Sequence, residues 1–154
     1  MNCETCRLVE RRNIGSAPMW DSIHRTNFFD IAHAFNTSLL GWIVLVARRH
    51  VETIADLTEE EGYELGHLIR TISQYLQEIT GCEKTYVMQF AEAPGHHHVH
   101  FHIVPRMSDF SDSDKGKNVF NFLGVAEGDR VTEDEMNKLA KSLRVCMEAS
   151  KHEV

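Results

Sequence analysis

With only three prolines, four cysteines and no apolar run longer than Trp42–Ala47, this sequence leaves several protein classes unsupported. A membrane-spanning helix needs about 20 consecutive apolar residues, and the longest run here is strand-sized. The opening stretch MNCETCRLVERRN has none of the apolar core of a secretion signal, so a cytoplasmic location is expected. In that setting Cys3, Cys6, Cys82 and Cys146 read as thiols or metal ligands, not disulfides. Sixteen Lys and Arg against 23 Asp and Glu give a net charge of -7. A nucleic-acid polymer, which needs a basic surface, is therefore not an expected partner. A small anion is still compatible, because a local cluster of donors can hold a phosphate on an acidic protein. No Walker-type or G-x-G-x-x-G loop is present to do so.

The chain has 154 residues, enough for one domain with a real core. Residues 1–26 read as an irregular polar arm, with Ala17-Pro18-Met19-Trp20 as an anchoring turn. A core follows over 27–106, and 107–154 form a C-terminal loop and helix. Asn27–Ile31 reads as a short strand and Gly41–Ala47 as a central apolar one. Thr58 and Glu61 make a capping box for a helix reaching about Thr80, with Leu65, Leu68, Ile69, Ile72, Leu76 and Ile79 at helical spacing and Gly81 as the stop. Gly62 and Gly66 lower helix propensity and imply close packing against a sheet. Tyr86–Phe90 and Val99–Val104 read as strands that pair antiparallel, the second ended by Pro105. Thr132 and Glu135 open a last helix with Met136, Leu139, Ala140, Leu143 and Met147 on one face. The fold class is α+β.

Against these shortages stands a surplus of 10 histidines. His98, His100 and His102 alternate with Val99, Phe101 and Ile103. On a strand the imidazoles share one face, roughly 6.6 Å apart in succession. Such a row packs poorly in a core, so it is expected to be hydrogen-bonded, metal-bound or reactive. His at i and i+2 can ligate one ion with a distant third ligand. Alternatively, neutral imidazole attacks phosphorus when its other nitrogen is held by an acceptor and nearby donors neutralise the phosphoryl oxygens. His24, His33, His67 and His152 have no motif context and are expected to be surface or hydrogen-bonded residues.

The run His98-Val99-His100-Phe101-His102-Ile103-Val104, with Pro105-Arg106 after it, resembles the motif of the histidine-triad family. Upstream, Asn36 and Gly41–His50 resemble that family's substrate-side turn and strand, and Thr58–Glu61 the start of its main helix. The resemblance implies an antiparallel sheet, a homodimer with a continuous sheet, and hydrolysis or transfer at the α-phosphate of a nucleotide through a covalent nucleotidyl-histidine. It makes His100 the nucleophile, His102 a donor to the phosphate and His98 the support of the row. Gln89 matches a position that contacts phosphate or ribose, and Asn36 falls near the ribose-contacting turn. Pro94 and Gly95 stand where members commonly carry Gln and then Ser or Thr, so a backbone N–H or the His96 imidazole is the candidate substitute. Trp42 stands where many members have His. Dinucleoside polyphosphates or nucleoside phosphoramidates are the implied substrates; a non-catalytic nucleotide-binding module and a row that holds a catalytic ion are the alternatives.

A lone C-x-x-C such as Cys3-Glu4-Thr5-Cys6 is by itself compatible with redox chemistry or none. Bacterial-type members that begin with such a pair bind structural zinc, and the resemblance implies Cys3, Cys6, His50 and His98 as its ligands. Arg48, Arg49 and Arg106 are candidates for a positive rim, and residues 108–118 for a loop over the nucleotide.

Overall fold

Apolar spacing and capping chemistry after Thr58 produce the longest helix, α2 (Glu59–Thr80). Its Thr58 side chain accepts from the Glu61 N–H while the Glu61 carboxylate accepts from the Thr58 N–H, and Gly81 closes it at φ +72°. The computed structural model describes residues 2–150, so His152 lies outside the described residues. The second capping box likewise starts α3 (Glu133–Ala149), whose buried residues are Met136, Leu139, Ala140, Leu143 and Met147. Gly62 and Gly66 depart from expectation: nothing lies within 4 Å of a Cβ built at either. They sit on the solvent side of α2, so no close approach explains them.

Among the described residues five strands form one sheet in the order β1-β2-β3-β5-β4, every neighbouring pair antiparallel. They are β1 (His24–Arg25), β2 (Phe29–His33), β3 (Ile43–Ala47), β4 (Lys84–Met88) and β5 (His100–Arg106). Relative to the sequence reading, β2 and β5 run two residues further and β4 ends two earlier. Pro105 does not end β5 but pairs with Thr85 inside it. It is tolerated because the β3–β5 ladder stops at Ile43↔Ile103, so no partner there requires its missing N–H. Gly41, at φ +95°, allows the approach of Pro105, whose Cγ would lie 3.1 Å from a Cβ added there.

Alternation divides the sheet. Phe29, Ile31, Ile43, Leu45, Val99, Phe101 and Ile103 face α2 and α3 and form the main core with Leu68, Ile72, Leu76 and Leu143. Each such fully buried side chain contributes about 2 kcal/mol. The opposite face carries His100 and His102, paired in register with Val46 and Val44, which in turn pair with Asp30 and Ala32.

The N-terminal arm is not irregular. Glu4–Asn13 form a helix, α1, capped by the Cys3 sulfur, which accepts from the Cys6 N–H. Ion pairs, not an apolar stripe, seat it on the open face of the sheet. Arg12 is buried against Asp21 at 2.8 Å and Asp30 at 3.7 Å, and Arg25 grips Asp30 through two hydrogen bonds of 2.6 and 3.0 Å. The segment expected as a loop over 108–118 folds as 3-10 turns at Asp112–Asp114 and Gly116–Phe122. The second of these packs Val119 and Phe120 with Trp42 and Val104 in a smaller cluster.

Candidate active site and metal centre

A cavity of about 700 Å³ opens on the histidine face, lined by His100, His102, His96, Asn36, Val44 and Val46. Residues from α1, the Trp20 turn, Phe35, Phe90 and Phe120 complete its walls. Hydrogen-bond partners fix which nitrogen of each imidazole carries the proton. His100 Nδ1 lies 2.7 Å from the His98 carbonyl oxygen, which can only accept. Nδ1 therefore donates, and Nε2 keeps its lone pair. His102 Nδ1 lies 3.0 Å from Trp42 Nε1, and indole N–H can only donate. His102 Nδ1 therefore accepts, and its proton sits on Nε2. Burial, together with His100 beside it, brings His102 down to about 4, and burial also lowers His98 and His100. All three rings are thus neutral near pH 7. One offers a nucleophilic nitrogen and its neighbour, with ring centroids 5.1 Å apart, offers a donor.

The third ring faces a different cluster of side chains. His98 Nε2 donates to the Ala47 carbonyl at 2.6 Å, which leaves the Nδ1 lone pair facing Cys3 and Cys6, whose sulfurs lie at 3.6 and 3.5 Å. His50 Nδ1 lies 3.3 Å from Cys6 Sγ, and its Nε2 donates to Glu52 at 3.4 Å. The four candidate ligand atoms of Cys3, Cys6, His50 and His98 all lie within 4.8 Å of one another. Two sulfurs and two imidazole lone pairs suit a tetrahedral zinc ion, and both imidazoles have the opposite nitrogen held by an oxygen, as metal-bound histidines do. The residues fit the metal. Burial, with the Cys3 thiol, pushes the Cys6 thiol up to about 11, so an ion must displace its proton to bind.

His96 also falls into place: its Nδ1 shares a 2.8 Å hydrogen bond with the buried Thr5 hydroxyl of α1. Asn36 lines the cavity, but Gln89 does not; Met88 is the β4 residue opposite His102. None of the three expected rim arginines lines the cavity. Arg48 is spent on the Thr26 and Asn27 carbonyls, Arg49 on Glu61 and Arg106 on Glu83. Arg11 and Arg12 line the cavity instead, and neither was legible because α1 itself was not. His33 is a core histidine, its Nδ1 donating to Ala34 and its Nε2 accepting from Gly41. His67 lies on the exposed side of α2.

The sequence profile of the family described as "Scavenger mRNA decapping enzyme C-term binding" matches residues 2–116. A bis(5'-adenosyl)-triphosphatase of Dictyostelium discoideum is 31% identical over 118 residues, spanning 74% of this chain and 76% of that protein. Among solved structures, a zinc-bound histidine triad family protein from Mycobacterium smegmatis matches with a TM-score of 0.67 at 17% identity, covering 97% of this chain and 98% of that one. A hypothetical histidine triad nucleotide-binding protein from Sulfolobus tokodaii matches with a TM-score of 0.69 at 16% identity, covering 97% and 96% of the two chains. At those identities the structural likeness concerns the fold.

Proposed function

Because the chain belongs to the histidine-triad family, we propose that it is a nucleotide hydrolase or nucleotidyltransferase that works through a covalent nucleotidyl-histidine on His100. The observation that carries this reading is the 2.7 Å contact from His100 Nδ1 to the His98 carbonyl. It supports a ring aimed with its free Nε2 on the cavity wall. In the first step Nε2 bonds to the α-phosphorus and the bond from phosphorus to the leaving oxygen breaks. In the second, a water oxygen bonds to phosphorus, the N–P bond breaks and the nucleoside monophosphate leaves. His102, donating from Nε2, neutralises a non-bridging oxygen as charge builds on it. The Thr5-held imidazole of His96 contacts the leaving side, where Pro94 and Gly95 offer no hydroxyl. Asn36 is the ribose contact. Gln89 has no part in this reading.

The substrate class is a nucleotide joined through its α-phosphate, with dinucleoside polyphosphates favoured by the likeness to the Dictyostelium triphosphatase. Cys3, Cys6, His50 and His98 would hold a structural zinc, which supplies rigidity because four protein ligands leave no position for water. The reading extends to a homodimer in which β4, one of the two outer strands of the sheet, meets its copy.

A turnover screen over dinucleoside polyphosphates and adenylyl amides tests the proposal. Wild type is expected to hydrolyse at least one class, and His100→Ala to lose turnover by about a thousandfold or more. A labelled substrate should leave an acid-labile, base-stable adduct on His100. Undiminished turnover by His100→Ala overturns the mechanism. Tight mononucleotide binding without turnover of any substrate would instead mark a binding module.

A further inference from the structure

The cavity extends to both sides of β5, since the strand order puts β3 and β2 on one side of it and β4 on the other. Over β3 and β2 the floor is Val44, Val46 and Ala32, roofed by Leu8 and Trp20. On the β4 side the wall is the segment that follows that strand, from Phe90 to Ala93, together with Phe120. An α-phosphate placed at His100 would sit between the two arms, leaving one arm for each half of its ligand.

Two features of the second arm are unfavourable by themselves. Phe90 is 62% exposed although it is large and apolar. Ala91, next to it and buried, has φ +56° and is the only non-glycine residue at positive φ among the described residues. A side chain with a Cβ resists that conformation, and it persists where surrounding structure imposes it, commonly at ligand sites. The Phe90 ring is not loose. Its centroid lies 5.7 Å from that of Phe120, and Phe120 lies 5.7 Å from both His102 and Trp42.

We propose that Phe90, backed by Phe120, is the stacking platform for the second nucleobase of a substrate that carries a base at each end of its phosphate chain. Stacking on a phenyl ring accepts any base. The inference rests on the proposed placement of the α-phosphate at His100, and it deepens that reading by naming what the leaving half contains.

The test is binding in the His100→Ala background, where turnover does not interfere. Calorimetry would compare diadenosine tetraphosphate with adenosine 5'-tetraphosphate, which lacks the second adenosine. The two-base ligand should bind about tenfold more tightly. Adding Phe90→Ala should bring the ratio of the two affinities close to one, while Phe90→Trp should keep it. Phe90 is exposed, so circular dichroism is expected to show folded protein in each case. No preference for the two-base ligand, or a preference that survives Phe90→Ala, overturns the platform. So does a preserved ratio accompanied by dissociation of a dimer, which would make Phe90 an interface residue. Failure of the His100 adduct would leave this ratio intact, so the two proposals fail separately.

Discussion

A neutral imidazole has one donor and one acceptor nitrogen, and its neighbours decide which is which. At His102 the decision is made by Trp42, fully buried and able only to donate. A histidine at position 42 could exchange roles with its partner; an indole cannot, so His102 is held as an Nε2–H donor. Trp42→Phe keeps the aromatic bulk and removes the lock. The expected result is a fall in kcat of about tenfold, the worth of one hydrogen bond, with a smaller change in KM. Nitrogen chemical shifts should show His102 as a tautomer mixture. An unchanged tautomer in Trp42→Phe would remove this role. His33 makes a different use of fixed partners. Burial brings it from 6.5 down to about 4. Its unfolded form takes up a proton as pH falls through 6.5, while the folded form resists until about 4. Stability is therefore fully present above that window and declines across it, by up to about 3 kcal/mol. Denaturant unfolding of His33→Gln, which cannot titrate, should show a shallower loss over the same range.

At the scale of elements, legibility followed the kind of force that forms each one. Both long helices were readable because capping boxes and apolar spacing are local signals, and the buried face of α3 is the one the spacing marked. The histidine row was readable for the same reason: period-two alternation states which face each residue takes. Helix α1 was not readable. Its contacts are Arg12 with Asp21 and Asp30, Thr5 with His96, and the Glu4 N–H to the Gly95 carbonyl. Charged residues at those positions look like solvent-facing ones until the fold supplies their partners. The cavity wall was lost with the helix, and Phe90 and Phe120 carry no motif at all. Two expected outcomes follow from how α1 is held. Asp30→Ala leaves Arg12 without one of its carboxylates and Arg25 without its ion-pair partner, costing about 3 kcal/mol, measurable by urea denaturation. Cys3→Ala removes the α1 cap together with one of the proposed zinc ligands. It should abolish stoichiometric zinc and lower the melting temperature by at least about 5 °C. It should also raise KM, since α1 carries Thr5, Leu8 and Arg11 into the cavity, whereas His100→Ala should keep its metal.

For the whole molecule, the sheet assigns core and chemistry to opposite faces. Helices α2 and α3 cover one side, and the cavity, α1 and the 3-10 turn at Gly116–Phe122 share the other. Substitutions on the helix-covered face should therefore change stability with little effect on nucleotide affinity. The proposed dimer predicts a sedimenting mass of twice the 17.7 kDa chain, with Val87→Lys, at an exposed position of β4, shifting it to monomer. The proposed metal centre joins residues 95 positions apart in the chain, Cys3 and His98. During synthesis, at about 5–20 residues per second, the two thiols leave the ribosome many seconds before the imidazole that completes their site. In the proposed site, newborn chains would thus carry a bare dithiol while the first four strands are made, and that interval is when a wrong metal or an oxidant would compete for it.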